Sequence, residues 1–187
     1  MNDAINSILD GIKEDNEKAI KHLNTELEKI RAGRANPSML DTVVVEYYGN
    51  PTPINQVANV NTLDARTITV QPWEKGMLDE IAKGIMNANL GLNPQNNGES
   101  ILINVPMLTE ERRKELVKRA KAEGEKGKVS IRNHRKDGND MIKELKDDGL
   151  SEDLAKRAEE KIQQLTDQYI NRIDEKIEIK EQDIMTV

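Results

Sequence analysis

Apolar residues recur at spacings of three and four in three long stretches of this chain, and those stretches predict its helices. In the first, Ile5, Ile8, Leu9, Ile12, Ala19, Ile20, Leu23, Leu27 and Ile30 keep this spacing, with Asn16 in the same stripe, over about seven turns. Gly33 and Pro37 end it. The second runs from Thr109, a suitable N-cap, to about Asp147 without a proline. Stepping about 100° per residue from Arg132 puts Leu116, Ala120, Gly124, Gly127, Ile131, His134, Gly138, Met141, Ile142 and Leu145 in one sector, the expected buried face. In the third, Leu154, Ala158, Ile162, Leu165, Tyr169, Ile173 and Ile177 form the stripe, behind Ser151 as N-cap with Glu152 and Asp153 in the first turn.

Between the first and second stretches the pattern changes. Val43 to Tyr48, Val57 to Asn61 and Arg66 to Gln71 have the β-branched or alternating texture of strands. Gly49-Asn50-Pro51 reads as a turn, Leu78 to Met86 as a short helix, Asn93 to Gly98 as a turn, and Ile101 to Val105 as a last strand. No helix of the three buries its stripe alone, so the pattern implies an antiparallel three-helix bundle carrying an inserted module. The expected fold class is α+β with two domains: residues 1–30 plus 106–187 as the bundle, and 31–105 as a small β/α/β insert. The chain crosses between them at Arg31, Ala32, Gly33 and Arg34, and again at Asn104, Val105 and Pro106. These short crossings read either as a hinge or as plain punctuation between elements. The glycines of the second helix admit two readings as well, close helix approach or bending.

Charge adds a direction to this scheme. The chain carries a net charge of -6, but Thr109 to Asp147 holds 13 Lys and Arg against 9 Asp and Glu, a balance of +4. On the helical wheel Lys114, Lys118, Lys121, Lys128, Arg132, Lys136, Lys143 and Lys146 lie within about 40° of one line, opposite the apolar face, with Arg135 at its margin. Such a stripe is either a solvated face or a phosphate-binding one. Lys128, Arg132, Arg135 and Lys136 fall within nine consecutive positions, and arginine suits bidentate phosphate contact. With 2% aromatic residues and no Phe, a stacking platform for single strands is disfavoured; helical RNA read by shape and charge fits better.

Composition narrows the rest. A mean hydropathy of -0.74, the lack of a long apolar run and a stretch from Met1 to Asp10 with neither a basic n-region nor an apolar h-region point to a cytoplasmic protein with no membrane partner. No cysteine and two histidines argue against a metal centre, and no cofactor is expected.

Five segments then stand out: Gly33-Arg34-Ala35-Asn36-Pro37-Ser38, Glu46 to Pro53, Leu90-Gly91-Leu92-Asn93-Pro94, Leu108 to Lys114, and Ile131-Arg132-Asn133-His134-Arg135-Lys136-Asp137. In these segments and along essentially its whole length, the chain closely resembles the bacterial ribosome recycling factor family. The resemblance implies an L-shaped, monomeric molecule whose inserted module swings on an elbow. It implies a factor that binds the post-termination ribosome on the large subunit and, with elongation factor G and GTP hydrolysis, splits it so that messenger and deacylated transfer RNA leave. Arg132 and Arg135 match the family's contacts to large-subunit ribosomal RNA, and Arg113 matches another near the elbow. Lys136 stands where the family often has a second arginine, and His134 where an aliphatic residue is common.

The expected ribosomal RNA contacts are therefore Arg113, Lys114, Lys118, Lys121, Lys128, Arg132, Arg135 and Lys136. Two rivals are a helical scaffold or protein-interaction module that binds no ribosome, and an enzyme using His22 or His134 as acid and base. Neither histidine has a nucleophile motif or glycine-rich loop beside it, so no catalytic residue is expected.

Overall fold

The computed structural model describes residues 2–30 and 33–186. Four α-helices and six strands follow in the order α1 (Asn2–Glu28), β1 (Val44–Tyr47), β2 (Asn50–Pro53), β3 (Ala58–Asp64), β4 (Thr67–Pro72), α2 (Leu78–Asn87), β5 (Asn93–Asn96), β6 (Ile101–Asn104), α3 (Glu110–Asp147) and α4 (Glu152–Met185). The chain divides into two compact units, Met1–Ala32 with Glu110–Val187, and Gly33–Thr109.

In the helical unit, α3 is a single helix of 38 residues, about 57 Å at 1.5 Å per residue. Its C-terminus is closed by Gly149 at φ +102°. There the Gly149 N–H donates to the Lys146 carbonyl at 3.1 Å and the Leu150 N–H to the Leu145 carbonyl at 2.9 Å, the paired bonds of a Schellman motif. Leu150 is buried, and Ser151 accepts the Leu154 N–H to start α4 at once. A turn this short makes α3 and α4 antiparallel neighbours. Ile5, Ile12, Ile142, Leu150, Ala155, Ala158 and Ile162 form a core at that end; Leu23, Ile131 and Ile173 are buried further along.

The glycines of α3 serve close approach. A Cβ on Gly124 would lie 2.7 Å from Ile177 Cγ1, one on Gly127 3.2 Å from Ile173 Cδ1, and one on Gly138 would collide with Ile12 and crowd Ile162. Met141, expected on the buried face, is 48% exposed at the edge of the stripe. His134 is half-buried, its Nδ1 2.8 Å from Oδ1 of the fully buried Asn16 on α1. Glu17 of α1 ties α4: it accepts from the Tyr169 hydroxyl at 2.6 Å and from Arg172 at 2.7 Å.

The second unit is built from two antiparallel sheets. β1 pairs with β2, and a four-stranded sheet has the order β3-β4-β6-β5. The alternation of β4 sends Ile68 and Val70 inward, where they meet Val45, Ile81, Ile85, Ile101 and Ile103. Two segments differ from the sequence expectation. Asn93–Asn96, read as part of a turn, is strand β5, with Pro94 opposite Ile103. As the edge strand it tolerates a proline that a central strand would not. Gly49-Asn50-Pro51 is likewise not the turn: the connection is Tyr48-Gly49, and Asn50 to Pro53 pair back onto β1. α2 lies close on β1, where a Cβ on Gly84 would come 2.7 Å from the Val44 carbonyl oxygen.

Candidate nucleic-acid interface

The cationic stripe lies on one uninterrupted helix, so its residues share a frame fixed by α3 itself. Their surroundings separate them into two groups. Arg132, Lys136 and Lys118 are exposed, and among the described residues none makes an ion pair or a side-chain hydrogen bond. Arg132 and Lys136 stand one turn apart, about 6 Å along the axis. They keep their full hydrogen-bonding capacity for a ligand.

The others are engaged. Lys128 is drawn against α4, its Nζ 2.5 Å from Asp174 and 3.3 Å from Glu125, with only 18% of its side chain exposed. The bond it donates to Asp174 leads the causes that raise its pKa above the ordinary lysine value. It stays charged, but its field is largely cancelled. Lys121 reaches Glu181 of α4 at 3.2 Å, and Lys114 pairs with Glu110 one turn back at 3.1 Å. Both of these pairs are exposed, and such pairs exchange readily for a phosphate because each contributes little. Arg135 is half-buried and donates through Nη1 to Gln163 Oε1 at 3.2 Å. Gln163 in turn donates to Asp167 at 2.8 Å, so α4 orients the guanidinium.

Arg113 has a different situation. It is half-buried, its Nη1 donates to the Met185 carbonyl at 3.4 Å, and its Nε is buried without a partner. Met185 ends α4, whose last turn holds no basic residue of its own. Arg113 therefore supplies the cation that the helix C-terminus favours. Stepping about 100° per residue also puts Arg113 on the apolar sector of the wheel, and this packing role explains that place.

Among the crossings, Arg31 and Ala32 lie outside the described residues. Gly33 has φ +75°, and a Cβ there would meet Leu108 Cγ at 2.7 Å, so both its conformation and its space call for glycine. Asn104 ends β6, and Val105 is buried, its N–H bonded to the Arg66 carbonyl at 2.7 Å. Arg34 is exposed and Pro106 follows Val105 in irregular backbone.

Sequence reasoning did not find the engagement of Lys128, because Asp174 lies on another helix. A carboxylate facing the stripe from α4 is visible only once the two helices are in register. Among the described residues no helix is long and apolar enough to cross a membrane.

The family model described as Ribosome recycling factor matches residues 23–185. Proteins named Ribosome-recycling factor from Christiangramia forsetii and Flavobacterium psychrophilum are similar to this chain, 58% identical over 99% of it and 54% identical over 100%, each covered in full. A solution structure of the ribosome recycling factor superposes with a TM-score of 0.71 at 37% identity, covering 98% of both chains. The ribosome recycling factor of T. thermophilus, in a structure with E. coli elongation factor G bound to the E. coli post-termination complex, superposes with a TM-score of 0.60 at 43% identity, covering 97% of this chain and 99% of that one.

Proposed function

The chain belongs to the ribosome recycling factor family, and from that premise we propose which of its residues carry the function. It binds the post-termination ribosome and, with elongation factor G and GTP, splits it into subunits, releasing messenger and deacylated transfer RNA for another round of initiation. It is a cytoplasmic factor and not an enzyme; the GTPase is its partner. The observation that carries the residue assignment is the group of unpaired cations on α3. Among the described residues Arg132, Lys136 and Lys118 offer charge with no internal competitor, and Arg135 is held at the margin by Gln163. These four make the principal contacts to large-subunit ribosomal RNA, chiefly to phosphates. Lys114 and Lys121 join by exchanging weak surface pairs. Lys128 and Arg113 act from behind, one fastening α3 to α4 and the other closing the end of α4.

The two crossings form the hinge in this proposal, at 31–34 and 104–106. Gly33 supports it through its positive φ. The anchoring of Val105 to Arg66 supports a second pivot just beyond it, from Pro106 onward.

The test is binding to large ribosomal subunits across a salt series. Replacing Arg132→Ala together with Lys136→Ala is expected to weaken binding and flatten the log-log salt slope by roughly 1 to 2 units, since each lost phosphate contact removes somewhat under one. An unchanged slope would show that the stripe is only a solvated face.

A further inference from the structure

The charged contacts between α3 and α4 repeat every two turns. Lys121 reaches Glu181, and Lys128, seven residues further along α3, reaches Asp174, seven residues back along α4. The next step of seven on both helices brings Arg135 to the level of Asp167. The helices are antiparallel, so equal steps in opposite directions make these three positions the rungs of one ladder. Because a straight helix drifts about 20° per heptad, the row on α3 turns from the surface towards the core. Lys121 keeps 58% of its side chain exposed and Lys128 18%, and Ile142, one step past Arg135, is fully buried. Arg135 is thus the last cation of the row.

The third rung is built differently. Arg135 and Asp167 make no ion pair among the described residues. Gln163, one turn before Asp167 on α4, stands between them: its Oε1 accepts from Arg135 Nη1 at 3.2 Å, and its Nε2 donates to Asp167 Oδ1 at 2.8 Å. A guanidinium only donates and a carboxylate only accepts, so both partners fix the same orientation of the amide. The cation is left on a neutral acceptor, a weaker bond than a carboxylate would give it. A phosphate can replace that acceptor without breaking an ion pair. At the second rung the same exchange would have to open Lys128 from Asp174 at 2.5 Å.

We propose that Gln163 is a positioning residue that keeps Arg135 available to ribosomal RNA by standing between it and Asp167. This role rests on the RNA contact of Arg135 proposed above. Without the amide the third rung closes like the second, and Asp167 takes the guanidinium that the RNA would otherwise engage. Gln163 thereby sets the point along α3 at which the ladder stops fastening helices and its last cation turns to a ligand.

The test is binding to large ribosomal subunits across a salt series, with urea melts alongside. Gln163→Leu is expected to weaken binding as much as Arg135→Ala does and to flatten the log-log slope by somewhat under one unit, the loss of one phosphate contact. Its stability to urea should not fall, since an ion pair replaces the lost bonds. Adding Asp167→Asn to Gln163→Leu is expected to restore parent binding, because no carboxylate then captures the guanidinium. Adding Asp167→Asn to Arg135→Ala should gain nothing. Parent-like binding of Gln163→Leu, a loss that Asp167→Asn does not restore, or an equal gain from Asp167→Asn in the chain lacking Arg135 would each overturn the role of Gln163. If Arg135→Ala itself binds like the parent, the assignment of Arg135 to RNA fails first and takes this role with it.

Discussion

Lys128 of α3 and Asp174 of α4 close to 2.5 Å across the helix pair, inside what the wheel shows as a continuous cationic stripe. On the proposed function the stripe is therefore divided between holding the bundle and contacting ribosomal RNA. The division is measurable. Lys128→Met is expected to leave the salt slope of ribosome binding unchanged and to lower stability to urea by about 1 kcal/mol or less, the range of half-exposed ion pairs. Arg132→Ala should do the reverse. A flattened slope in Lys128→Met would move that residue into the interface.

Tyr169 couples the bundle to alkaline pH. Burial first, and the bond to Glu17 second, push its hydroxyl up to about 12. A phenol with a raised folded pKa binds its proton more tightly in the folded than in the unfolded chain. Its contribution is present in full below about pH 10, the ordinary tyrosine value, and is lost as pH rises towards 12. Tyr169→Phe is expected to flatten the fall of melting temperature between about pH 10 and 12. A residual fall should persist, because Lys128 is shifted upward as well and acts in the same direction. Identical alkaline profiles for parent and variant would refute the coupling.

Glu17 works at the opposite end of the scale. Hydrogen bonds from Arg172, and then from Tyr169, lower its pKa below the ordinary glutamate value. A depressed folded pKa gives stability that is present above the unfolded value and lost as pH falls through the folded one. Glu17→Gln should therefore lower stability at pH 7 and reduce the acid sensitivity of unfolding below about pH 4.5. With both Glu17 and Arg172 more than a third exposed, the effect is expected to stay within about 1 kcal/mol. Chemical denaturation at pH 7 and pH 3 measures it.

Two glycine replacements of identical chemistry should have opposite signs. Nothing lies within 4 Å of a Cβ built on Gly11 in the middle of α1. Gly11→Ala is expected to stabilise by up to about 1 kcal/mol through helix propensity alone. In Gly138→Ala the new methyl meets Ile12 and Ile162, and overpacking of about 1–3 kcal/mol should outweigh the same propensity gain. Adding Ile12→Val should recover part of that loss, and urea melts of the three variants decide the matter.

The hinge proposal has a test in splitting rather than in binding. The chain has no cysteine, so a single engineered disulfide between the two units is unambiguous. Under oxidising conditions it should preserve ribosome binding and abolish splitting, and reduction should restore it. Splitting at the parent rate with the disulfide formed would reject the hinge.

The helices were legible because a period of 3.6 persists over many turns and because Ser151 and Gly149 are strong boundary signals. The α+β class followed from the abrupt change to alternation after Gly33. Strand β5 was not legible: Asn, Pro and Gln have turn chemistry, and only its edge position beside β6 makes a strand of them. Within the stripe, Arg132 and Lys136 are exposed as their angle suggests, whereas Lys128 at a similar angle is drawn against α4. The role of Arg113 was not legible, because its partner, the Met185 carbonyl, lies 72 residues away. Long-range partners leave no trace in the local pattern.

The glycine notches of α3 have a mechanical consequence. Ile177 and Ile173 sit against Gly124 and Gly127, and Ile12 against Gly138, as branched pegs seated in gaps of the backbone. Sliding α4 or α1 along α3 by one residue in either direction would drive a peg onto a neighbouring side chain. The bundle is keyed against axial slip. About 57 Å of helix is thereby held in fixed register with its two neighbours along its length.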